Sequence, residues 1–557
     1  MKTTLTPPST TLKIHPADNV LVALTDLPGG TKVSENGHTV TLTHDVAAKH
    51  KIALETLPTG GGVTMYGVLV GKTTRPVEAG EALTTFNLRH DAEPFDVARR
   101  QPYAWQPPDA SAWQSRTFLG YPRSDGRVGT RNYWLVVPLV FCENRNILVL
   151  KDAFERELGY APSERYRWQV RDLVAAYRHG NQLAIERSAL PSGPEAVPAE
   201  SLIFPNLDGI KFLTHELGCG GTNRDADALC ALLAGYITHP NVAGATVLSL
   251  GCQKSQIDTL RAEIARRDPR FDRPLVYVDQ QTTGTEEALL SEAIRETFRG
   301  LMRANEQTRQ PAPLTQLTVG LKCGGSDGFS GLSANPVLGH LSDLLVSLGG
   351  TTLLGEFPEL CGVEQQLIDR CDREADAEKF ARLMREYAAQ AAAVGAGFDM
   401  NPSAGNIKDG LITDAIKSAG AAKKGGTAPI AGVLDYTEWP TRPGLHLLCT
   451  PGNDVLATTG MAASGANLIL FTTGLGTPTG NPVAPTVKIS TNSRLAGRMP
   501  DVIDFDSGPV VTGHQTIQQN GEALLEWLIA LASGRHRTKA EALNQDDFMP
   551  WRRGVNL

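Results

Sequence analysis

The sequence predicts an α/β protein in which a small N-terminal β-rich module precedes α/β domains with mostly parallel sheets. Residues 11–90 carry short alternating apolar runs bounded by Pro, Gly and Asn, the pattern of strands and tight turns. From about 145 to 400, amphipathic helical stretches alternate with apolar runs, the signature of βα units wound into a parallel sheet. At 557 residues the chain is too long for one hydrophobic core. The composition shifts divide it into a β domain over 1–90, a Pro/Trp-rich linker over 91–119, an α/β catalytic domain over 120–400 and a C-terminal α/β domain over 401–557.

Composition narrows the function. A net charge of -7 with acidic and basic residues interspersed argues against nucleic acid or an anionic membrane as the main partner. The N-terminus has no apolar leader core, and no run approaches the length of a membrane span, so a cytoplasmic location is expected. The eight cysteines are thinly spread, which in a reducing compartment suits thiols, metal ligands or nucleophiles better than a disulfide framework. Cys219, Cys252 and Cys323 each sit beside glycine in a short polar motif.

Taken in order, the β module places His44 and His50 near Asp45, a small polar cluster or simply turn histidines. The linker holds Trp105 and Trp113 among prolines and is expected to pack across a surface. Next, Arg123, Arg127 and Arg131 recur every fourth residue with glycines between them, ahead of the strand 133–141. A loop presenting guanidinium groups would suit a carboxylate-bearing substrate, with salt bridging to nearby acids as the alternative. His215 opens the segment HELGCGG, and the strand 242–251 leads to Cys252. The densest stretch is 320–336, GLKCGGSDGFSGLSANP, where a buried strand runs into Cys323, Gly324, Gly325, Ser326 and Asp327. Glu356 ends the following strand. In a parallel sheet such β-to-α junctions share one edge, where α/β proteins bind ligands. Beyond 400, loops rich in Gly, Thr, Asn and Pro are either turn chemistry or a set of short donors for a polyhydroxylated or anionic ligand.

GYPRSDGRVGTRN, HELGCGG, LGCQK, GLKCGGSDGFSGLSANP, NPSAGN and FTTGLGTP closely resemble motifs of the altronate and galactarate dehydratase family of sugar-acid dehydratases, and the front module resembles the SAF (β-clip-like) domain found at the start of those enzymes. The resemblance covers about 13–520. It implies an iron-linked hydro-lyase that dehydrates a hexonate or hexarate to a 2-keto-3-deoxy acid. On this footing Arg123, Arg127, Arg131, Asn132, Gly324, Gly325, Ser326, Asp327, Asn406, Thr472, Thr473 and Gly474 are candidate substrate contacts, and His44, His50, His215 and Lys322 candidate acid–base groups. The iron is expected either as an iron–sulfur cluster on Cys219, Cys252 and Cys323 with Glu356 nearby, or as mononuclear Fe(II) or Mn(II) on ligands such as His44, His215, Glu356 and Asp327. A small-molecule sugar acid is the expected partner, with homo-oligomer formation. A β-eliminating carbon–sulfur lyase and a non-catalytic carbohydrate-binding protein are the alternatives.

Overall fold

The computed structural model describes residues 9–35, 38–161, 163–191 and 202–554. The front module is built from antiparallel strands. Thr11–Leu12, Val20–Ala23, Lys51–Ala53 and Ala82–Leu83 make one sheet, and Gly62–Met65, Val68–Thr73 and Leu88–Arg89 another. The linker packs across the segment 401–557, anchored where Trp105 Nε1 donates to Thr427 Oγ1 and Trp113 Nε1 to Glu526. Trp113 is 8% exposed, and an indole buried this far removes on the order of 200 Å² of apolar surface from water.

Two parallel sheets follow. The first orders β1 (Tyr133–Pro138), β2 (Gly209–Phe212), β3 (Val242–Ser249) and β4 (Leu275–Asp279) as β2-β1-β3-β4. The second has seven strands: β5 (Thr318–Cys323), β6 (Thr351–Leu354), β7 (Ile430–Leu434), β8 (Gly444–Leu448), β9 (Leu468–Thr473), β10 (Thr486–Ser490) and β11 (Phe505–Asp506). They are ordered β7-β8-β6-β5-β9-β10-β11, every pair parallel. This sheet draws strands from both sides of residue 400, which corrects the expected boundary there. The segment 401–557 completes a sheet begun at β5, and apart from a small cluster of Leu495, Val502 and Ile503 its buried apolar residues join cores shared with the rest of the chain. Apart from Thr318 at the start of β5 and the short edge strand β11, every strand residue is buried, which is why the sequence reads as near-continuous apolar runs.

The units share cores. Helix α1 (Asn223–Ile237) meets α2 (Asp454–Ala463) so closely that a Cβ on Gly235 would lie 2.4 Å from the Ala463 carbonyl oxygen. Leu135 and Val137 of β1 belong to one apolar cluster with Met461 and Ile469. Val63, Met65 and Tyr66 of the module pack in another with Leu332, Ile412 and Ala415. No helix among the described residues is long and apolar enough to cross a membrane.

Candidate active site

In the seven-stranded sheet the strand order reverses between β5 and β9, and the loops leaving their carboxyl ends face each other across that gap. The loop after β5 carries Gly324, Gly325, Ser326 and Asp327, and the loop after β9 carries Gly474. The backbone N–H of Gly474 donates to Gly325 at 3.0 Å. A Cβ on Gly474 would lie 2.3 Å from the Asp327 carboxyl carbon, and one on Gly324 would lie 2.5 Å from Asp454 Oδ1. Asn406 donates to the Ser326 carbonyl at 2.7 Å, and Thr472 Oγ1 to Asn335 at 2.7 Å. Thr473 Oγ1 accepts from the Gly476 N–H at 2.9 Å. The structure therefore gathers Ser326, Asp327, Asn406, Thr472, Thr473 and the three glycines at one sheet edge.

Under this edge lies a buried ionic cluster. Glu356 sits just after β6 in the left-handed region at φ 69°, a conformation costly for a residue with a side chain and held only where surroundings fix it. Its backbone N–H donates to Thr450 Oγ1 at 2.8 Å, and its carboxylate accepts from the Cys323 N–H at 3.1 Å, from Lys424 at 3.1 Å and from Lys322. Lys322 also meets Asp454 at 3.0 Å, and Lys417 meets Glu359 at 2.8 Å. The Cys323 thiol donates to Glu359 at 3.1 Å and accepts from Lys424 at 2.6 Å. Lys322, Lys424, Glu356 and Glu359 are all 3% exposed or less. Asp454, with 28% of its side chain exposed, leads outward.

These contacts set the protonation states. Burial alone would strip the Lys322 ammonium of its proton, but Glu356, Asp454 and Glu359 together outweigh it and hold the group well above the lysine range. Lys424 follows the same logic, with Cys323, Glu356 and Glu359 outweighing burial. Glu359 is desolvated, yet Lys417, Lys424 and Lys322 bring it down to about 2. Burial, reinforced by the two glutamates, pushes the Cys323 thiol up to about 12. Of the candidate acid–base groups, Lys322 is thus a held cation.

Other expected site residues lie elsewhere. Arg123, Arg127, Arg131 and Asn132 precede β1, so they stand at the amino edge of their sheet, opposite the loops that follow its strands. Arg123 donates to the Pro240 carbonyl at 2.7 Å and to Asn132 at 3.0 Å, and Asn132 to the Asn206 carbonyl at 2.9 Å. Arg127 pairs with Asp125 and donates to the Thr238 carbonyl at 2.7 Å. Arg131 is 1% exposed and forks onto Glu541 at 2.7 and 3.1 Å. Arg123 and Arg127 fix loops within the unit of the four-stranded sheet, and Arg131 ties that unit to the C-terminal segment. His215 is buried, with Nε2 2.8 Å from the Pro138 carbonyl and Nδ1 accepting from the Leu217 N–H at 3.1 Å. Burial pushes it down to about 4, so it is a neutral pin in its loop. His44 is exposed with Nδ1 2.8 Å from Thr43 Oγ1, and the half-buried His50 lies 3.3 Å from the Ala48 carbonyl. The module reaches the site through neither histidine but through Lys49, which meets Asp327 at 3.0 Å and Asp409 at 3.4 Å.

The expected thiol set is also revised. Cys323 lies in the seven-stranded sheet inside the lysine–glutamate cluster, whereas the exposed Cys219 and Cys252 belong to the four-stranded sheet. Cys323, Glu356 and Glu359 place ligand atoms within 4.8 Å of one another and could hold a metal ion. The mononuclear alternative with His44 and His215 is not assembled, because His215 spends both ring nitrogens on backbone and His44 stays in its turn. Sequence reasoning missed Glu359, Lys417, Lys424 and Asp454. The two lysines lie in IKSAGAAKKGG, which reads as an ordinary charged helix end, and Glu359 lies in the short helical turn Phe357–Leu360 beyond β6.

Comparison with known proteins agrees with this architecture. Residues 9–91 match the altronate/galactarate dehydratase SAF domain, 120–305 the D-galactarate dehydratase/altronate hydrolase second domain, and 314–556 the D-galactarate/altronate dehydratase C-terminal domain. The chain is 34% identical to altronate dehydratase of Escherichia coli (strain K12), over 98% of this chain and 99% of that one. It is 29% identical to galactarate dehydratase (L-threo-forming) of the same organism, over 96% and 94%. It is also 30% identical to (2R)-sulfolactate sulfo-lyase subunit beta of Chromohalobacter salexigens, over 78% of this chain and 97% of that one. With all three domain types in order and a relative matched end to end, the chain belongs to the altronate/galactarate dehydratase family and is a hydro-lyase.

Proposed function

We propose that this protein dehydrates a hexonate or hexarate sugar acid to its 2-keto-3-deoxy acid, with the Cys323–Glu356–Glu359 cluster and its three lysines as the acid–base centre. The observation that carries the reading is the contact of Lys322 with both Glu356 and Asp454, a carboxylate and an ammonium side by side at the sheet edge where the polyol-compatible loops meet. Loss of water from a 2,3-dihydroxy acid needs a base for the C2 proton and an acid for the C3 hydroxyl. Glu356 takes the C2 proton, and an adjacent ammonium gives one to the departing hydroxyl, which leaves as water. The C2=C3 enol then becomes the ketone at C2. Proton transfer from Glu356 to its lysine neighbour resets the pair. Lys417 and Lys424 offset the negative charge that builds on the substrate carboxylate as the proton leaves. Gly324 and Gly474 allow the loops to close because any Cβ there would strike Asp454 or Asp327.

The family resemblance implies iron, which when bound would polarise the departing hydroxyl as a Lewis acid. The Cys323 group has suitable donors for a metal, but Lys424 at 2.6 Å from the sulfur competes for them, so a cation could enter only as that ammonium withdraws. The test is to incubate anaerobically purified, iron-supplied enzyme with a panel of hexonates and hexarates, altronate and galactarate among them, and to measure 2-keto-3-deoxy acid. Conversion of one panel member is expected, with activity abolished in Lys322→Met. If none is converted and sulfite is released from sulfolactate instead, the carbon–sulfur lyase reading, favoured by the sulfo-lyase relative, replaces this one.

A further inference from the structure

A second group of reactive side chains lies outside the lysine–glutamate cluster, at the carboxyl edge of the four-stranded sheet. Strands β1 and β3 pair in parallel with Pro138 opposite Leu248. Cys142 and Cys252 each follow that register pair by four residues, so the sheet delivers them to matching positions. On the other side β1 pairs with β2, Val136 opposite Phe212, and the loop leaving β2 carries Cys219. Hydrogen bonds stitch the loops together next to each cysteine. The Phe141 N–H donates to the Leu217 carbonyl at 3.0 Å, the Lys254 N–H to the Gly218 carbonyl at 2.9 Å, and Ser255 Oγ to the Leu139 carbonyl at 2.8 Å. A Cβ on Gly218 would lie 2.3 Å from the Leu139 carbonyl oxygen, so the Cys219 loop sits directly against the loop of Cys142. All three thiols are exposed.

The spacing and surroundings choose among ligands. A tetrahedral single ion with sulfur ligands at about 2.3 Å draws them to roughly 3.8 Å from one another. Among the described residues the group gathered within 4.8 Å is Cys323, Glu356 and Glu359, so these three sulfurs stand wider than one ion spans. Thiolates set more widely around a shared edge suit a polynuclear centre with bridging sulfide. Gly218, Gly220 and Gly251 flank the cysteines at φ 98°, 70° and 105°. At Gly220 a Cβ would meet nothing within 4 Å. Its left-handed backbone therefore borders open space, as in a backbone nest that turns N–H groups toward an anionic centre. The nearby ammonium of Lys254 is tied to the Gly221 carbonyl at 2.6 Å, in contrast to Lys424, which sits on its thiol.

We propose that Cys142, Cys219 and Cys252 ligate an iron–sulfur cluster at the open edge of the four-stranded sheet, leaving one iron without a protein ligand. Cys323, which the sequence grouped with these thiols, is not part of it. The assignment deepens the dehydratase reading by naming where iron would be held, yet it is tested on the cluster and not on turnover.

The experiment uses the full chain, purified anaerobically and then treated with ferrous iron and sulfide. Iron, acid-labile sulfide, the visible spectrum and the electron paramagnetic resonance of the reduced protein are measured for the native chain and for Cys142→Ser, Cys219→Ser, Cys252→Ser and Cys323→Ser. About four iron and about four sulfide per chain are expected in the native protein and in Cys323→Ser, with loss of most of both in each of the other three. As a check independent of how the variants fold, cysteine alkylation of the native chain is mapped by mass spectrometry. Cys142, Cys219 and Cys252 should be shielded while the cluster is present and become reactive together once a chelator removes it. Iron without sulfide, a cluster that survives loss of any of the three thiols, loss of the cluster in Cys323→Ser, or equal alkylation before and after chelation would overturn the assignment. A protein that holds the cluster but converts no sugar acid would sink the dehydratase reading and leave the cluster site standing.

Discussion

Replacing Arg131 by Met separates a structural guanidinium from a substrate-binding one. In the structure Arg131 makes five hydrogen bonds: two to Glu541 and one each to the carbonyls of Thr130, Leu531 and His536. Removing it leaves the Glu541 carboxylate buried without its cation, for which about 3–5 kcal/mol is expected. At about 2–4 °C per kcal/mol for a unit of 150–250 residues, the unfolding midpoint should fall by roughly 6–20 °C. A pH signature accompanies this. Burial opposes ionisation of Glu541, but Arg131 overcomes it and brings the carboxyl down to about 2 from the ordinary 4.5. The stabilisation is therefore complete above pH 4.5 and lost as pH falls towards 2. The gap between native and variant midpoints in urea should be full at pH 7 and shrink as pH falls below 4.5. At a temperature where the variant is folded, kcat and KM should stay within about threefold of native, under 1 kcal/mol of barrier. A tenfold rise in KM with an unchanged midpoint would refute the structural argument and return Arg131 to the substrate.

Lys424→Met should lower kcat by about 10²–10⁴-fold with a smaller change in KM, measured by steady-state turnover, because it removes the cation that touches both Cys323 and Glu356. Gly474→Ala drives a methyl group into Asp327 and should cost about 1–3 kcal/mol in a urea titration while lowering kcat/KM at least about tenfold, whereas Gly497→Ala, where the added Cβ meets nothing within 4 Å, should change neither. Lys49→Met frees Asp327 and Asp409 and should raise KM more than it lowers kcat, with Asp327→Asn giving the same pattern and no further loss in the double variant. Lys51, pushed down to about 7 by burial, is neutral in the folded chain above that pH and charged in the unfolded chain up to its ordinary 10.5, so it makes stability rise with pH across that window. Urea midpoints should show that rise flattened in Lys51→Met.

Much of the architecture was legible because buried parallel strands announce themselves as apolar runs, and because polar residues that interrupt such runs stand out. Cys323, Asp327 and Glu356 were visible in this way, at the ends of β5 and β6. The edge on which a loop lies was harder to read. Arg123, Arg127 and Arg131 have the chemistry of a carboxylate receptor, yet they enter β1 instead of leaving it, and in a parallel sheet that direction alone places them opposite the loops that follow the strands. Cys142 escaped notice because no glycine flanks it in FCEN, while its register with Cys252 exists only once β1 and β3 pair. Lys417 and Lys424 were missed for a related reason. A helical lysine normally reaches solvent, and only tertiary packing turns these two inward onto Glu359 and Cys323.

The same reasoning explains why the ionic cluster tolerates burial. Breaking up lysines and carboxylates one at a time inside a protein is costly, whereas apolar replacement of a whole buried set is often neutral. Stability alone therefore gives little reason for a chain to keep Lys322, Lys417, Lys424, Glu356 and Glu359 together under a switch-point loop. The left-handed backbone at Glu356 adds strain that an apolar core would avoid, and Lys49, the module's contact with Asp327, is strained in the same way at φ 76°. Both strained residues bear charges directed at the loop 323–327, one from beneath the sheet edge and one from the β module above it. That convergence, more than any single residue, is the argument that the loop is where the chemistry occurs.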